Sequence, residues 1–98
     1  MAKYDLSQKA AEDLFSIWKY TLDNWSATQA DNYYSTLEEA FSEIAVHPLK
    51  FGKSVDEIYP GLYSYHIKRH IIFYLLQENG RVLIVRILHE KMDYRKHL

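Results

Sequence analysis

A chain of 98 residues that is 48% apolar and 26% charged has the size and balance of one globular domain, and residues 1–98 are expected to fold as a single unit. It contains no cysteine, which excludes disulfides, thiolate metal sites and a cysteine nucleophile. The net charge of −1 hides an asymmetry: residues 1–49 hold three Lys/Arg against eight acids, whereas residues 50–98 hold nine against five, with four of the five histidines.

The first residues lie outside any helical pattern, and Lys3 to Leu6 reads as a short extended start. Ser7 is placed to cap a helix with its hydroxyl. Apolar residues then recur at Ala11, Leu14, Phe15, Trp18, Leu22 and Trp25, the spacing of an amphipathic helix. Ser26 and Gln29 have the spacing of a capping box, in which each side chain satisfies the other's backbone N–H. A second helix follows, with a stripe of Ala30, Tyr33, Tyr34, Leu37, Phe41, Ile44 and Ala45. It ends at His47-Pro48, because the residue before proline is steered out of the α region. The two helices should form an antiparallel hairpin.

Leu49 to Gly61 reads as a loop, and then the period changes. Leu62–Ile67 and Ile71–Gln77 read as strands joined by a bend at Lys68-Arg69-His70. Glu78-Asn79-Gly80-Arg81 signals a hairpin, with Asn-Gly suited to the two positive φ angles of a type I′ turn. Val82–Leu88 is apolar on both faces, as a central strand covered on both sides would be. The polar tail from His89 to Leu98 is too short for much structure of its own. The order β-α-α-β-β-β predicts an α+β fold, a helical hairpin packed on one face of a small, mainly antiparallel sheet.

The charge asymmetry predicts one acidic and one basic face. A second half of net charge +4 falls well short of a dedicated nucleic-acid binder, so no direct sequence-specific nucleic-acid binding is expected. No run approaches the roughly 20 apolar residues of a membrane span, and the N-terminus lacks the apolar stretch of a signal peptide; the expectation is a cytoplasmic protein with no membrane partner. Histidines 66 and 70 are four apart across strand residues rather than on a helix face, and no metal spacing or Gly-rich phosphate loop is present. Neither a metal nor a cofactor is expected.

Several residues invite a functional reading beside a structural one. Arg86 interrupts an apolar strand, on the expected face of Val82, Ile84 and Leu88. It must pair with an acid such as Asp93 at the rim, or serve as a donor fork for an incoming acidic segment. His89 ends that strand, where it could bond Asp93 or a backbone carbonyl, or act as a general acid or base. Trp18, Trp25, Tyr33 and Tyr34 suit the seam where the helices meet the sheet. Tyr63 and Tyr65 share a strand face with Ile67, and aromatic side chains on an open sheet edge would suit an added partner segment.

Taken in order, Leu6-Ser7 with Ala10-Ala11 and Asp13-Leu14, Trp25 with Gln29-Ala30, His70 with Ile72-Phe73-Tyr74, and above all Arg86-Ile87-Leu88-His89 with Met92-Asp93, resemble the ParE branch of the RelE/ParE toxins. The resemblance spans essentially the whole chain and implies the toxin of a plasmid- or chromosome-borne type II toxin–antitoxin pair. It implies a ParD-like antitoxin whose C-terminal segment wraps the toxin, and DNA gyrase as the cellular target, inhibited by binding rather than by catalysis. The contacts it suggests are Tyr63, Tyr65, Lys68, Arg69, Arg86, His89, Met92 and Asp93. A RelE-type ribosome-dependent mRNA endonuclease, acting through Arg86, His89 and Tyr94, is the alternative, and a non-toxic antitoxin-binding relative is a third. One departure separates them: the family's arginine at the start of the strand after the loop is replaced by Tyr63.

Overall fold

The computed structural model describes residues 4–98; Lys3, assigned to the extended start, lies outside them. The described chain runs β1 (Tyr4–Leu6), α1 (Gln8–Asn24), α2 (Ala27–Val46), a one-turn α3 (Pro48–Phe51), β2 (Lys53–Ser54), β3 (Leu62–Ile67), β4 (His70–Leu76) and β5 (Val82–His89), followed by a 3-10 helix at Tyr94–Lys96. The sheet order is β1-β5-β4-β3-β2. Only the β1–β5 pair is parallel; the others are antiparallel.

Both helix starts are fixed by serine. The Ser7 hydroxyl accepts from the Ala10 N–H at 2.9 Å, and the Ser26 hydroxyl accepts from Gln29 at 3.1 Å. No return bond from the Gln29 side chain is present, so the expected capping box is half formed. Of the α1 stripe, Leu14 is buried, but Ala10 rather than Ala11 is the second buried position and Phe15 is 61% exposed. The inward face is therefore rotated toward Ala10, Leu14 and Ile17, which leaves Phe15 outside.

The core on the helix side joins Ala10 and Leu14 of α1 and Leu37, Phe41 and Ile44 of α2 to Ile72, Tyr74, Val82, Ile84 and Ile87 of the sheet. A second cluster, Val55, Leu62, Phe73 and Leu88, lies on the other face, with Ile58 and Tyr94 packed on it. That face is thus covered by the 55–61 segment and by the tail, which folds back as a 3-10 helix rather than trailing as a polar end. The expected loop from Leu49 to Gly61 also has structure. Pro48, which ends α2, occupies the first turn of α3, where a missing N–H costs nothing.

Two further differences concern turns and register. The Asn-Gly hairpin is a three-residue loop: Gly80 N–H donates to Gln77 O at 3.0 Å and only Gly80 has a positive φ, 83°. A turn followed by one left-handed residue satisfies the strand twist with glycine alone, so the two positive φ angles of type I′ are not needed. In β5, Phe73 pairs with Arg86 but Tyr74 pairs with Ile84, which leaves Val85 as an extra residue in a β-bulge. The bulge shifts the alternation beyond it. Val82 and Ile84 face the helices, as does Ile87, while Leu88 falls on the opposite face instead of sharing theirs.

Tyr74 is fully buried, and its hydroxyl donates to the Pro48 carbonyl at 2.5 Å, tying α3 to β4. A Cβ at Gly52 would overlap that hydroxyl and the ring carbons behind it. Gly52→Ala should therefore lower stability by about 2–3 kcal/mol in urea denaturation. An unchanged midpoint would show that α3 gives way freely.

Candidate functional site

One end of β5 is bound by α1 rather than by a strand. β1 pairs with Val82–Ile84 only, and past that point α1 side chains take over the edge. The Ser7 hydroxyl donates to Val85 O at 2.7 Å, and Asp13 accepts the Ile87 N–H at 3.0 Å. The same Asp13 carboxylate receives Arg86 as a fork, Nε at 2.8 Å and Nη2 at 2.9 Å, and Arg86 Nη1 donates to the His97 carbonyl at 2.8 Å. Asp13, not Asp93, is thus the acid that Arg86 required. Its hydrogen bonds hold the guanidinium firmly protonated. Asp93 instead accepts from Arg95 N–H at the start of the 3-10 helix.

Beside this pair opens a groove of about 950 Å³ between the helical hairpin and the β4–β5 end of the sheet. Ile17, Tyr20, Trp25 and Tyr33 form its helical wall, and Lys68, Arg69, His70, Arg86, His89 and Met92 line the other side. Tyr20 is 65% and Trp25 67% exposed, so the apolar wall is open to water. The expected seam of Trp18, Trp25, Tyr33 and Tyr34 is accordingly split. Tyr33 and Tyr34 pack on the core, Trp25 stands out in the groove, and Trp18 faces a second, smaller cleft of about 580 Å³ with Phe15.

At the floor of the groove the Tyr33 hydroxyl lies 2.6 Å from His70 Nδ1, and the rings of His70 and His89 meet edge to face at 5.3 Å. Burial raises the Tyr33 phenol pKa, and the phenol and imidazole share one hydrogen bond whose donor is set by the His70 tautomer. Burial, and next the neighbouring His89, push the His70 pKa down to about 4. His89 Nδ1 itself accepts from the Lys91 N–H at 3.1 Å.

The groove ends at the β3–β4 turn. Ile67 pairs with His70 across a two-residue connection, Lys68-Arg69, and Lys68 adopts φ 54°. A left-handed backbone in a residue with a Cβ costs roughly 1–2 kcal/mol relative to its usual conformations. Both side chains are exposed, and neither joins an ion pair among the described residues.

The residues singled out from sequence therefore separate into three places. Lys68, Arg69, Arg86, His89 and Met92 line the groove. Tyr63 and Tyr65 lie on the helix-side face near the β2 edge, Tyr63 stacked on Tyr74 at 5.5 Å and Tyr65 edge-on to Phe51 at 6.0 Å. Tyr94 sits on the far face against Phe73, at 5.5 Å between rings. Sequence reading missed Asp13, Tyr33 and His70 as parts of one site. Asp13 had a signal: a strand arginine in the basic half needs an acid, and the first half supplies most of them. Among the described residues no group of three or more His, Asp or Glu is placed to hold a metal, and no helix is long and apolar enough to cross a membrane.

Asp13→Ala should cost about 3 kcal/mol, since it strands a largely buried guanidinium and a strand N–H. In the Asp13→Ala/Arg86→Met double variant the combined loss should be clearly smaller than the sum of the losses of Asp13→Ala and Arg86→Met alone; additive losses in this double-mutant cycle would disprove the coupling. His70 makes a second prediction. Its folded pKa is about 4 against about 6.5 unfolded, so the unfolded chain binds more protons between them. This contribution to stability is complete above about pH 6.5 and is lost as pH falls through about 4, a slope that His70→Gln should flatten in denaturation curves.

Comparison with known proteins places this architecture. The family model for the ParE toxin of type II toxin–antitoxin systems matches residues 4–94. The chain is 35% identical over 97 residues to the toxin ParE1 of Mycobacterium tuberculosis, covering 99% of this chain and 98% of that protein. It is 35% identical over 98 residues to ParE1 of Caulobacter vibrioides, covering 100% and 99%, and 34% identical to the toxin ParE of Escherichia coli, covering 100% and 94%. Among solved structures, the fold matches a chain of the chromosomal ParDE system of P. aeruginosa with a TM-score of 0.76 at 18% identity, covering 91% of this chain and 96% of that one. It matches a chain of the RelBE2 toxin–antitoxin complex of Mycobacterium tuberculosis with a TM-score of 0.65 at 20% identity, covering 90% and 96%. With a family match across nearly the whole described chain and relatives this similar over their full lengths, the protein belongs to the ParE toxins of type II toxin–antitoxin systems.

Proposed function

We propose that this toxin acts in the cytoplasm by binding DNA gyrase, without catalysing a reaction, and is neutralised by a ParD-like antitoxin. The observation that carries the reading is the similarity to ParE toxins over residues 4–94, combined with a site whose arginine is already used. Every nitrogen of the Arg86 guanidinium has an acceptor inside the fold: Asp13 for Nε and Nη2, and the His97 carbonyl for Nη1. Three of its five N–H donors are thereby committed inside the fold, which pins the guanidinium as a structural group and leaves it little freedom to reach a scissile phosphate. Tyr94, the third residue of the nuclease set, lies on the other face of the sheet against Phe73. With Tyr63 in place of the family arginine, the phosphate-stabilising set of a RelE-type nuclease lacks one cation and has a second, Arg86, tied to Asp13.

The groove supplies the antitoxin contact in this reading. An apolar wall, a row of cations at one end and ample volume suit a segment with one apolar and one polar side. Lys68, Arg69, His89 and Met92 would meet it directly, with Arg86 holding the wall in place. Tyr63, Tyr65 and Asp93 would belong to a longer path of the same segment around the sheet edge and the tail. A second reading keeps one observation in its favour: Lys68 and Arg69 stand beside the His70–His89 pair, so cations and imidazoles share the groove.

The purified protein assayed in parallel on DNA gyrase supercoiling and on translation-coupled mRNA cleavage tests the proposal. Supercoiling should be inhibited with mRNA intact, and addition of the antitoxin encoded beside the gene should restore it. Cut mRNA with unaffected gyrase would replace the proposal with the nuclease. Two blank assays with antitoxin still bound would leave a non-toxic, antitoxin-binding relative.

A further inference from the structure

Among the non-glycine residues described, Lys68 alone has a left-handed backbone. The other tight hairpin places glycine at its left-handed position, Gly80, where the conformation is free of the Cβ penalty. At the β3–β4 turn a lysine stands there instead, followed by an arginine, and both are exposed without an ion-pair partner among the described residues. Folding gains nothing from that choice. Glycine or asparagine would form the same turn at lower energy.

The turn borders the groove whose wall carries Tyr20 and Trp25, two large aromatics that are mostly in water. Strained cations and an open apolar wall at one groove point to the same occupant. We propose that the Lys68-Arg69 turn is the anion-reading end of the groove, and that it takes a carboxylate from an amphipathic partner segment whose apolar side lies on Tyr20, Trp25 and Met92. This rests on the antitoxin reading and adds what the segment must carry and where it is read.

The charge balance of the groove favours a carboxylate. Asp13, the acid that lines it, is taken up by Arg86 and by the Ile87 N–H. Glu90, whose N–H donates to the Arg69 carbonyl, directs its carboxylate to His66 at 2.8 Å, so among the described residues neither cation of the turn has an ion-pair partner and both remain to be matched from outside. A continuous cationic track, which a nucleic-acid backbone would need, is absent from the described surface of the groove: its helical wall contributes Ile17, Tyr20 and Trp25 rather than bases.

The experiment titrates the full chain with two synthetic amphipathic peptides that differ only in bearing Glu or Gln on the polar side, read by tryptophan fluorescence and by the backbone amide shifts of the turn. The Glu peptide should bind about tenfold tighter at low salt, as expected of a charge-assisted bond, and the gap should close as salt is raised. Lys68→Gly should abolish most of the gap while raising the thermal midpoint by about 4 °C, a pairing that a purely structural residue would not show. Lys68→Asn, which also tolerates the left-handed region, should behave in the same way. Equal binding of the two peptides, failure of both to bind, or a gap that survives Lys68→Gly combined with Arg69→Gln would overturn the proposal. Displacement of the Glu peptide by an equimolar short single-stranded RNA would overturn it in favour of a nucleic-acid site. Titration of the same variants with the antitoxin separates the two readings. Unchanged antitoxin affinity in Lys68→Gly removes only this inference, whereas a wild-type chain that binds no antitoxin removes the reading beneath it, and the peptide pair still decides the groove.

Discussion

The bidentate bond between Asp13 and Arg86 is the contact on which the arrangement of this fold turns. It joins a helix of the acidic half to a strand of the basic half, with each side chain only 15% exposed. In so sheltered a place, neither charge could be kept without the other, because desolvation of an unpaired ion costs more than any contact nearby returns. The same carboxylate also accepts a strand N–H, so α1 acts at that point as the neighbour that β5 lacks. Ser7 does likewise one step earlier, capping α1 with the same hydroxyl that donates to the Val85 carbonyl. A three-residue β1 is sufficient because two side chains, the Ser7 cap and Asp13 of α1, extend its work along the edge.

The bulge at Val85 fits this geometry. An extra residue in β5 increases local twist and re-aims the side chains beyond it. Past the bulge, Ile87 returns to the helix-side core and Leu88 to the opposite cluster, while Arg86 remains at the position from which it reaches both Asp13 and the tail carbonyl of His97. The tail is therefore held from within the sheet, and Tyr94 is laid over Phe73. One ion pair thus positions α1, the second half of β5 and the C-terminal turn together, and the groove is the space left between them and the start of α2.

Much of the architecture was legible because it depends on local chemistry. Serine caps, the proline at the end of α2 and the doubly apolar run of β5 each report their structure within a few residues. The helical stripe of α1 misled by one position, since large aromatics mark a helix without marking which side faces in; Ala10 packs closely where Phe15 would not fit. The 49–61 segment hid its α3 and β2 because a four-residue helix and a two-residue strand have no period to read. The site was legible only in part. Arg86 announced its need for an acid, but the acid lay 73 positions away, and no spacing in the sequence relates Asp13 to Arg86 or Tyr33 to His70. Lys68 was legible as part of a bend and as a suggested contact, but its positive φ was not, because nothing in a lysine's identity suggests one.

The charge asymmetry of the sequence acquires a different meaning in three dimensions. Two contacts join the acidic half to the basic half directly. Asp5 of β1 binds Arg81 at 2.6 Å, which together with Gln77 draws the Asp5 carboxyl down to about 2, and Asp13 of α1 binds Arg86. His66 at the end of β3 lies 2.8 Å from Glu90, so a further base of the second half is matched nearby. These pairings match charges beside β5, whereas Lys68 and Arg69 at the mouth of the groove, like Lys91, Arg95 and Lys96 of the tail, have no described ion-pair partner. In the proposed reading, what sets the turn apart from the other unmatched cations is its place, a strained backbone beside an open apolar groove, which suits a charge that arrives with another molecule. Specificity at such a site would come less from the apolar wall, which any amphipathic segment could cover, than from the cost of leaving two cations unmatched under a segment with no acid to offer.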